Sequence, residues 1–244
     1  DSEQYDGSTW TEVANINTAR YGGSSADKGS TTAGLIFGGN PAGGSPWTAD
    51  ETESWNGSTW TEVGDLNESK RLGMGAGTST AALAASGYSA DSTVTVNAET
   101  FDGSSWTEVN NLNTARHSGG GGGPQTAALY AGGQPGTLAI TELWDGTSWT
   151  ESGDMNSARG DHDCMATSSS AAVAFGGDPS PLRPAAEEFD GSAWTAVATS
   201  SAGRYGSGGA GTASAGISVA GGASPYQATE EWTKAVAASS FTSS

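Results

Sequence analysis

The chain has 244 residues, 27 of them acidic and 9 basic, for a net charge of −18. That balance argues against nucleic acid and anionic membrane surfaces as partners, because both are bound through basic patches. The single cysteine, Cys164, permits no internal disulfide. No run of about 20 apolar residues offers a membrane span, so no membrane insertion is expected.

The chain repeats itself. An aromatic residue, Asp or Asn, Gly, Ser or Thr, a small residue, Trp and Thr recur at Tyr5 to Thr11, Trp55 to Thr61, Phe101 to Thr107, Trp144 to Thr150 and Phe189 to Thr195. The second aromatics, Trp10, Trp60, Trp106, Trp149 and Trp194, stand 50, 46, 43 and 45 residues apart. Ten residues after each Trp comes a basic residue: Arg20, Lys70, Arg116, Arg159 and Arg204. A diglycine follows at Gly38, Gly132, Gly176 and Gly221, with Ser86-Gly87 in the second unit. Two residues before each first aromatic sits Glu3, Glu53, Glu99, Glu142 or Glu187, and a sixth copy, Glu230 to Trp232, lacks the Gly-Ser-x-Trp that should follow.

Each unit reads as four short strands. Short apolar runs closed by Gly-Gly, such as Thr126 to Tyr130 and Ala171 to Phe175, read as buried strands. Val94 to Phe101 and Leu138 to Trp144 suit the next strand. Asp-Gly or Asn-Gly reads as a tight hairpin turn of two residues that tolerate positive φ. The strand beyond carries the Trp. The Gly- and Ser-rich stretch after the basic residue, such as Ser118 to Gly123 or Gly206 to Ala210, has side chains small enough to crowd an axis. Helical periodicity is almost missing. Four antiparallel strands per unit of about 45 residues is the arithmetic of a β-propeller blade.

This order and spacing of aromatic-Asp, Trp, Arg and Gly-Gly resembles the kelch repeat across nearly the whole chain. The turn departs from it, being Asp-Gly-Ser where a longer loop is usual. The phrase Thr52 to Val63 also resembles kelch-like repeats in structural proteins of marine bacteriophages, which implies a virion or fibre role. The expected fold is therefore all-β: one β-propeller domain over 1–244 of kelch-like four-stranded blades. Five blades are expected, at about 20–69, 70–115, 116–158, 159–203 and 204–244, with residues 1–13 closing the ring. Six blades is the alternative.

The repeated basic residue is expected in an ion pair or carbonyl contact between blades, with the repeated Glu as its partner. The acceptor patterns for glycosylation at Asn56 and Asn67 fall on repeat positions and read as chance. The one dense group of ligand-type residues is Asp161-His162-Asp163-Cys164. On a strand, Asp161 and Asp163 would share one face and His162 and Cys164 the other. His117 sits one unit away on the equivalent strand. Zinc needs three or four converging ligands, so these residues form only a weak metal candidate, and no cofactor is expected.

Kelch propellers include galactose-oxidase-like enzymes, but that resemblance would imply two His and two Tyr ligands with a Tyr–Cys crosslink. The chain has two His in all. A sialidase-type site lacks an assignable arginine triad. Function is expected instead in the varied loops between second and third strands, which carry Trp47, Tyr88, Arg183 and Tyr226. The expectation is a non-enzymatic structural or receptor-binding module of a phage virion (fibre, tail or capsid surface), with glycan binding through those loops. Its partners would be other virion proteins, or a host-surface glycan or protein, and its location virion or extracellular. The alternatives are a kelch-like extracellular enzyme of galactose-oxidase or sialidase type, a bacterial adhesin and a protein-interaction scaffold.

Overall fold

The computed structural model describes residues 2–43, 47–178, 185–201, 203–219, 221–222 and 229–234. These residues contain strands and no helix. Five small antiparallel sheets stand in a ring as a five-bladed β-propeller.

The first blade runs outward as Ser24–Ser25, Gly34–Phe37, Thr52–Trp55 and Trp60–Val63. The second is Met74–Thr78, Ala81–Ser89, Val94–Phe101 and Trp106–Val109. The third is Gly120–Gly122, Leu129–Ala131, Thr141–Trp144 and Trp149–Ser152. The fourth is Asp163–Ser168, Ala171–Phe175, Ala186–Phe189 and Trp194–Val197. Among the described residues the fifth has three strands: Gly208–Gly211, Ala215–Val219 and Thr229–Thr233. Register repeats from blade to blade, each first aromatic pairing its Trp, as in Trp55↔Trp60 and Phe101↔Trp106.

The glycines of the inner strands answer to crowding. A Cβ on Gly120 would stand 2.6 Å from Cys164 Cβ and 2.7 Å from His162 Nε2. The hairpin turns differ from the two-residue turn expected. Each is a four-residue loop, as in Asp102 to Ser105, whose ends are joined by Asp102 N–H to Ser105 C=O at 3.2 Å. Only the glycine has positive φ. The Asp serves through its carboxylate, which accepts from the backbone N–H groups of Ser104 and Ser105. Such bonds, led by the Ser105 N–H at Asp102 and by the Thr147 hydroxyl at Asp145, hold the two carboxyls down at about 2.

Inside each blade the basic residue meets the glutamate: Arg20–Glu53 at 2.6 Å, Lys70–Glu99 at 3.1 Å, Arg116–Glu142 at 2.9 Å, Arg159–Glu187 at 2.6 Å and Arg204–Glu230 at 2.9 Å. The pair lies within a blade, not between blades as expected. An asparagine completes it. Asn17, Asn67, Asn113 and Asn156 each donate backbone and side-chain N–H to the same carboxylate. The same side-chain amide reaches the carbonyl of the outer-strand Trp, for example Asn113 Nδ2 to Trp149 O at 3.2 Å. The connection arriving from one blade is thus clasped to the middle of the next. Asn67 is held in this clasp, and Asn56 Oδ1 caps its own turn.

Between blades the outer-strand Trp packs backwards. Trp106 lies against Phe37 of the preceding blade, ring centroids 4.8 Å apart, and donates to Thr52 Oγ1 at 3.0 Å. Trp194 does the same to Thr141 at 2.9 Å. Trp149 has no acceptor for its N–H, because the corresponding position of the second blade is Ala98. Leu66, Leu112 and Met155 fill these grooves. The groove between the fourth and fifth blades has Ser200 at that position and no outer Trp strand among the described residues. It keeps a cavity of ≈ 240 Å³ lined by Met165, Phe175, Ala186 and Trp232.

The ends of the ring meet around the N-terminal hairpin, Ser2–Tyr5 with Trp10–Val13, which pairs as its own two-stranded sheet. Thr229–Thr233 takes the third-strand place beside Ala215–Val219. The hairpin stands at the seam, where Tyr5, Trp10, Trp55, Trp60 and Ile217 line a cleft of ≈ 500 Å³.

Two outcomes test this packing. Arg116→Met strands the buried Glu142 carboxylate and is expected to cost about 3–5 kcal/mol in chemical denaturation. Adding Glu142→Leu should restore part of the loss. Thr141→Val leaves the Trp194 N–H buried without an acceptor and is expected to cost about 1–3 kcal/mol by the same measurement.

Candidate functional site

The two ends of the ring differ. At one end the hairpin turns pack on the turns between first and second strands, Gly103 beside Thr80 and Gly146 beside Thr126. There Asp27 crosses the axis, accepting from the N–H of Gly77 and of Gly123, and Lys28 Nζ donates to the carbonyl of Ala166. Burial raises the Asp27 carboxyl above the usual range, against the pull of Lys28 and the two N–H groups.

At the other end the loops after the second strands meet the incoming connections. Tyr21 pairs with Asn40 and Tyr88 with Arg71 across short ladders. A girdle of backbone bonds rings the mouth: Leu72 N–H to Gly22 C=O, Ser118 to Leu72, Asp161 to Ser118, and Gly206 to Asp161, at 2.6–2.8 Å. All five residues have φ between 48° and 63°. Leu72, Ser118 and Asp161 hold a left-handed conformation that costs roughly 1–3 kcal/mol in a non-glycine residue. No bond of this kind joins Gly22 to Gly206 at the seam.

The residue just before each girdle position varies: Tyr21, Arg71, His117, Gly160 and Tyr205. Tyr21 and Tyr205 are 57% and 41% exposed. Trp47, from a loop at this end, is 57% exposed. Tyr88 is half-buried, with its ring centroid 4.3 Å from that of His117 and the Arg71 guanidinium 4.9 Å from it. Arg183 and Tyr226 lie outside the described residues. Tyr21 and Tyr205 were not singled out from the sequence. Their signal was a variable position inside an otherwise constant frame.

The ligand-type group does not lie as an alternating strand would place it. Asp161 sits in the girdle with φ 48°, and the strand begins only at Asp163. His162 is 7% exposed, with neither ring nitrogen hydrogen-bonded. Burial, with Arg159 nearby, pushes its imidazole down to about 3. Asp163 is raised by burial, while Ser207, Ser218 and Arg204 act to lower it. Cys164 is pushed up to about 12, chiefly by burial. Burial also lowers His117, with Asp161 opposing and Arg71 reinforcing the shift. Among the described residues no group of three or more His, Cys, Asp or Glu side chains could hold a metal ion.

The chain matches no protein-family model and no curated protein.

His162 gives the ring a pH dependence with a definite sign. The folded imidazole stays neutral down to about pH 3, whereas the unfolded one takes up its proton near 6.5. In that window the unfolded state binds more protons. Stability should therefore fall as pH drops from 6.5, by up to about 1.4 kcal/mol per unit. Denaturation midpoints measured across this range should lose that slope in His162→Leu.

Proposed function

We propose that the chain is a non-enzymatic recognition module: a kelch-like propeller that serves as a structural or receptor-binding component of a bacteriophage virion, in a fibre, tail or capsid surface. The observation that carries this reading is the division between constant and varied residues. The repeated charges are consumed inside the blades, as in Arg116–Glu142. The varied positions gather at one end and leave Tyr21, Trp47 and Tyr205 exposed.

Exposed aromatic rings beside polar groups suit the C–H faces and hydroxyls of sugars, so a host-surface glycan is the proposed ligand class. A rigid ring presenting loops from one end also suits a particle surface, where binding residues must be held without a flexible support. The strong negative charge favours solubility and is screened in a salty medium. The resemblance of Thr52 to Val63 to repeats in phage structural proteins supports the virion setting. Other virion proteins would then be the attachment partners.

Two measurements test it. Mass spectrometry of purified particles should find the chain in stoichiometric amount. On a glycan array the protein should bind a defined set of glycans, and Trp47→Ala should weaken binding roughly tenfold, on the scale of a lost aromatic contact. Unchanged binding in Trp47→Ala removes Trp47 from the site. Detection of the chain only in uninfected cells refutes the virion setting.

A further inference from the structure

Nearly all the described cations of this acidic chain are neutralised. Among the described lysines and arginines, seven form an ion pair: Arg20, Lys28, Lys70, Arg116, Arg159, Arg204 and Lys234. Arg71 is the exception, with neither a carboxylate partner nor a side-chain hydrogen bond. Its Nε is buried without an acceptor, while its two terminal nitrogens are not among the buried orphans.

Its position is set by the fold. Arg71 occupies the varied place before the girdle residue Leu72, at the mouth of the ring. The backbone there pairs with Tyr88, and the guanidinium lies over the Tyr88 ring. Tyr88 in turn lies against the His117 ring at a tilt of 34°, and His117 Nδ1 is 3.1 Å from Ser118 Oγ. Ring and guanidinium are thus held together, and the outer fork of the guanidinium is left open. A planar fork of N–H donors matches a carboxylate in two parallel bonds, and such charge-assisted pairs are the strong ones.

We infer that Arg71, Tyr88 and His117 form a subsite for the carboxylate of an acidic sugar. The carboxylate would take the two terminal nitrogens of Arg71, and the sugar ring would lie against the neighbouring aromatic edge. The inference rests on the recognition reading above and narrows its ligand class from glycans to uronic or sialic acids. Asp161, whose charge acts on His117, bounds the subsite on the side of the fourth blade and disfavours a second anionic group there.

The probes are sodium glucuronate, N-acetylneuraminic acid and the neutral methyl glucoside, titrated by calorimetry into the intact protein at fixed salt. One or both acids should bind at least tenfold more tightly than the neutral sugar, and the two acids distinguish a uronic from a sialic source. Arg71→Gln should abolish the preference. Arg71→Lys should keep only part of it, because an ammonium lacks the fork. The side chain makes no hydrogen bond and its one contact is with the Tyr88 ring, so thermal melts of both variants should fall only slightly, on the scale of one partly exposed cation–π contact. Equal binding of acid and neutral sugars, or an unchanged preference in Arg71→Gln, overturns the carboxylate subsite and leaves sugar recognition standing. Binding of no sugar on this titration or on the array overturns both.

Discussion

The buried clasp of cation, glutamate and asparagine is the constraint on which the ring depends. A four-stranded blade cannot hide its faces alone, so each must be held at a fixed angle to its neighbours. The clasp does this where the chain passes from one blade to the next. The asparagine lies on the incoming connection, and the glutamate lies on the third strand. The arginine reaches further backbone carbonyls, as Arg159 does with Gly176 and Ala185. Taking these charges out of water is costly, and their attraction repays it only when the remaining donors and acceptors are also satisfied. The asparagine bonds supply that satisfaction on the carboxylate side.

The seam shows what happens where the pattern stops. The outer Trp strand is missing from the fifth blade among the described residues, and two other features are missing with it. The groove filler is Ser200 instead of Leu or Met, and the clasp asparagine is Ser201, which gives Glu230 a backbone N–H at 2.7 Å. An asparagine there would have no Trp carbonyl to receive its side-chain amide. Two third strands compete for the role, since Glu3 and Tyr5 stand to the hairpin as Glu230 and Trp232 stand to the fifth blade. The structure places Glu230 in the clasp with Arg204 and leaves the hairpin as a separate pair beside the cleft.

Much of this was legible in the sequence because the repeat converts position into environment. The spacing of the Trp residues marked blade length, and the recurring small-residue and Gly-Gly runs marked the inner and second strands of five blades. The alternation at Val94 to Phe101 marked a strand with the ends observed. The turn was misjudged because Asp-Gly fits either a two-residue turn or an Asp-capped loop of four, and only the backbone distinguishes them. The clasp was half legible: Arg and Glu stood out by charge, whereas Asn, uncharged and common in loops, did not. The ligand-type group was misplaced for a related reason. Asp161 looked like the first residue of a strand, but the girdle requires a left-handed residue there, and no sequence rule marks Leu72, Ser118 and Asp161 as sharing that strain.

Strain and variation lie side by side at the mouth, and this has a physical basis. The girdle fixes the backbone at each blade through one bond and one unusual φ, whatever the side chain one residue earlier. That earlier residue keeps only local contacts, as Tyr21 does with Asn40, Arg71 with Tyr88 and His117 with Ser118, and it varies among Tyr, Arg, His and Gly while the girdle repeats. The opposite end has no such freedom, because its turns are locked by their own carboxylates and Asp27 ties the blades across the axis. A side chain can face outward from one end of the molecule only where no ion pair or hydrogen bond draws it into the frame, and Arg71, which has neither and touches only the Tyr88 ring, is the clearest case.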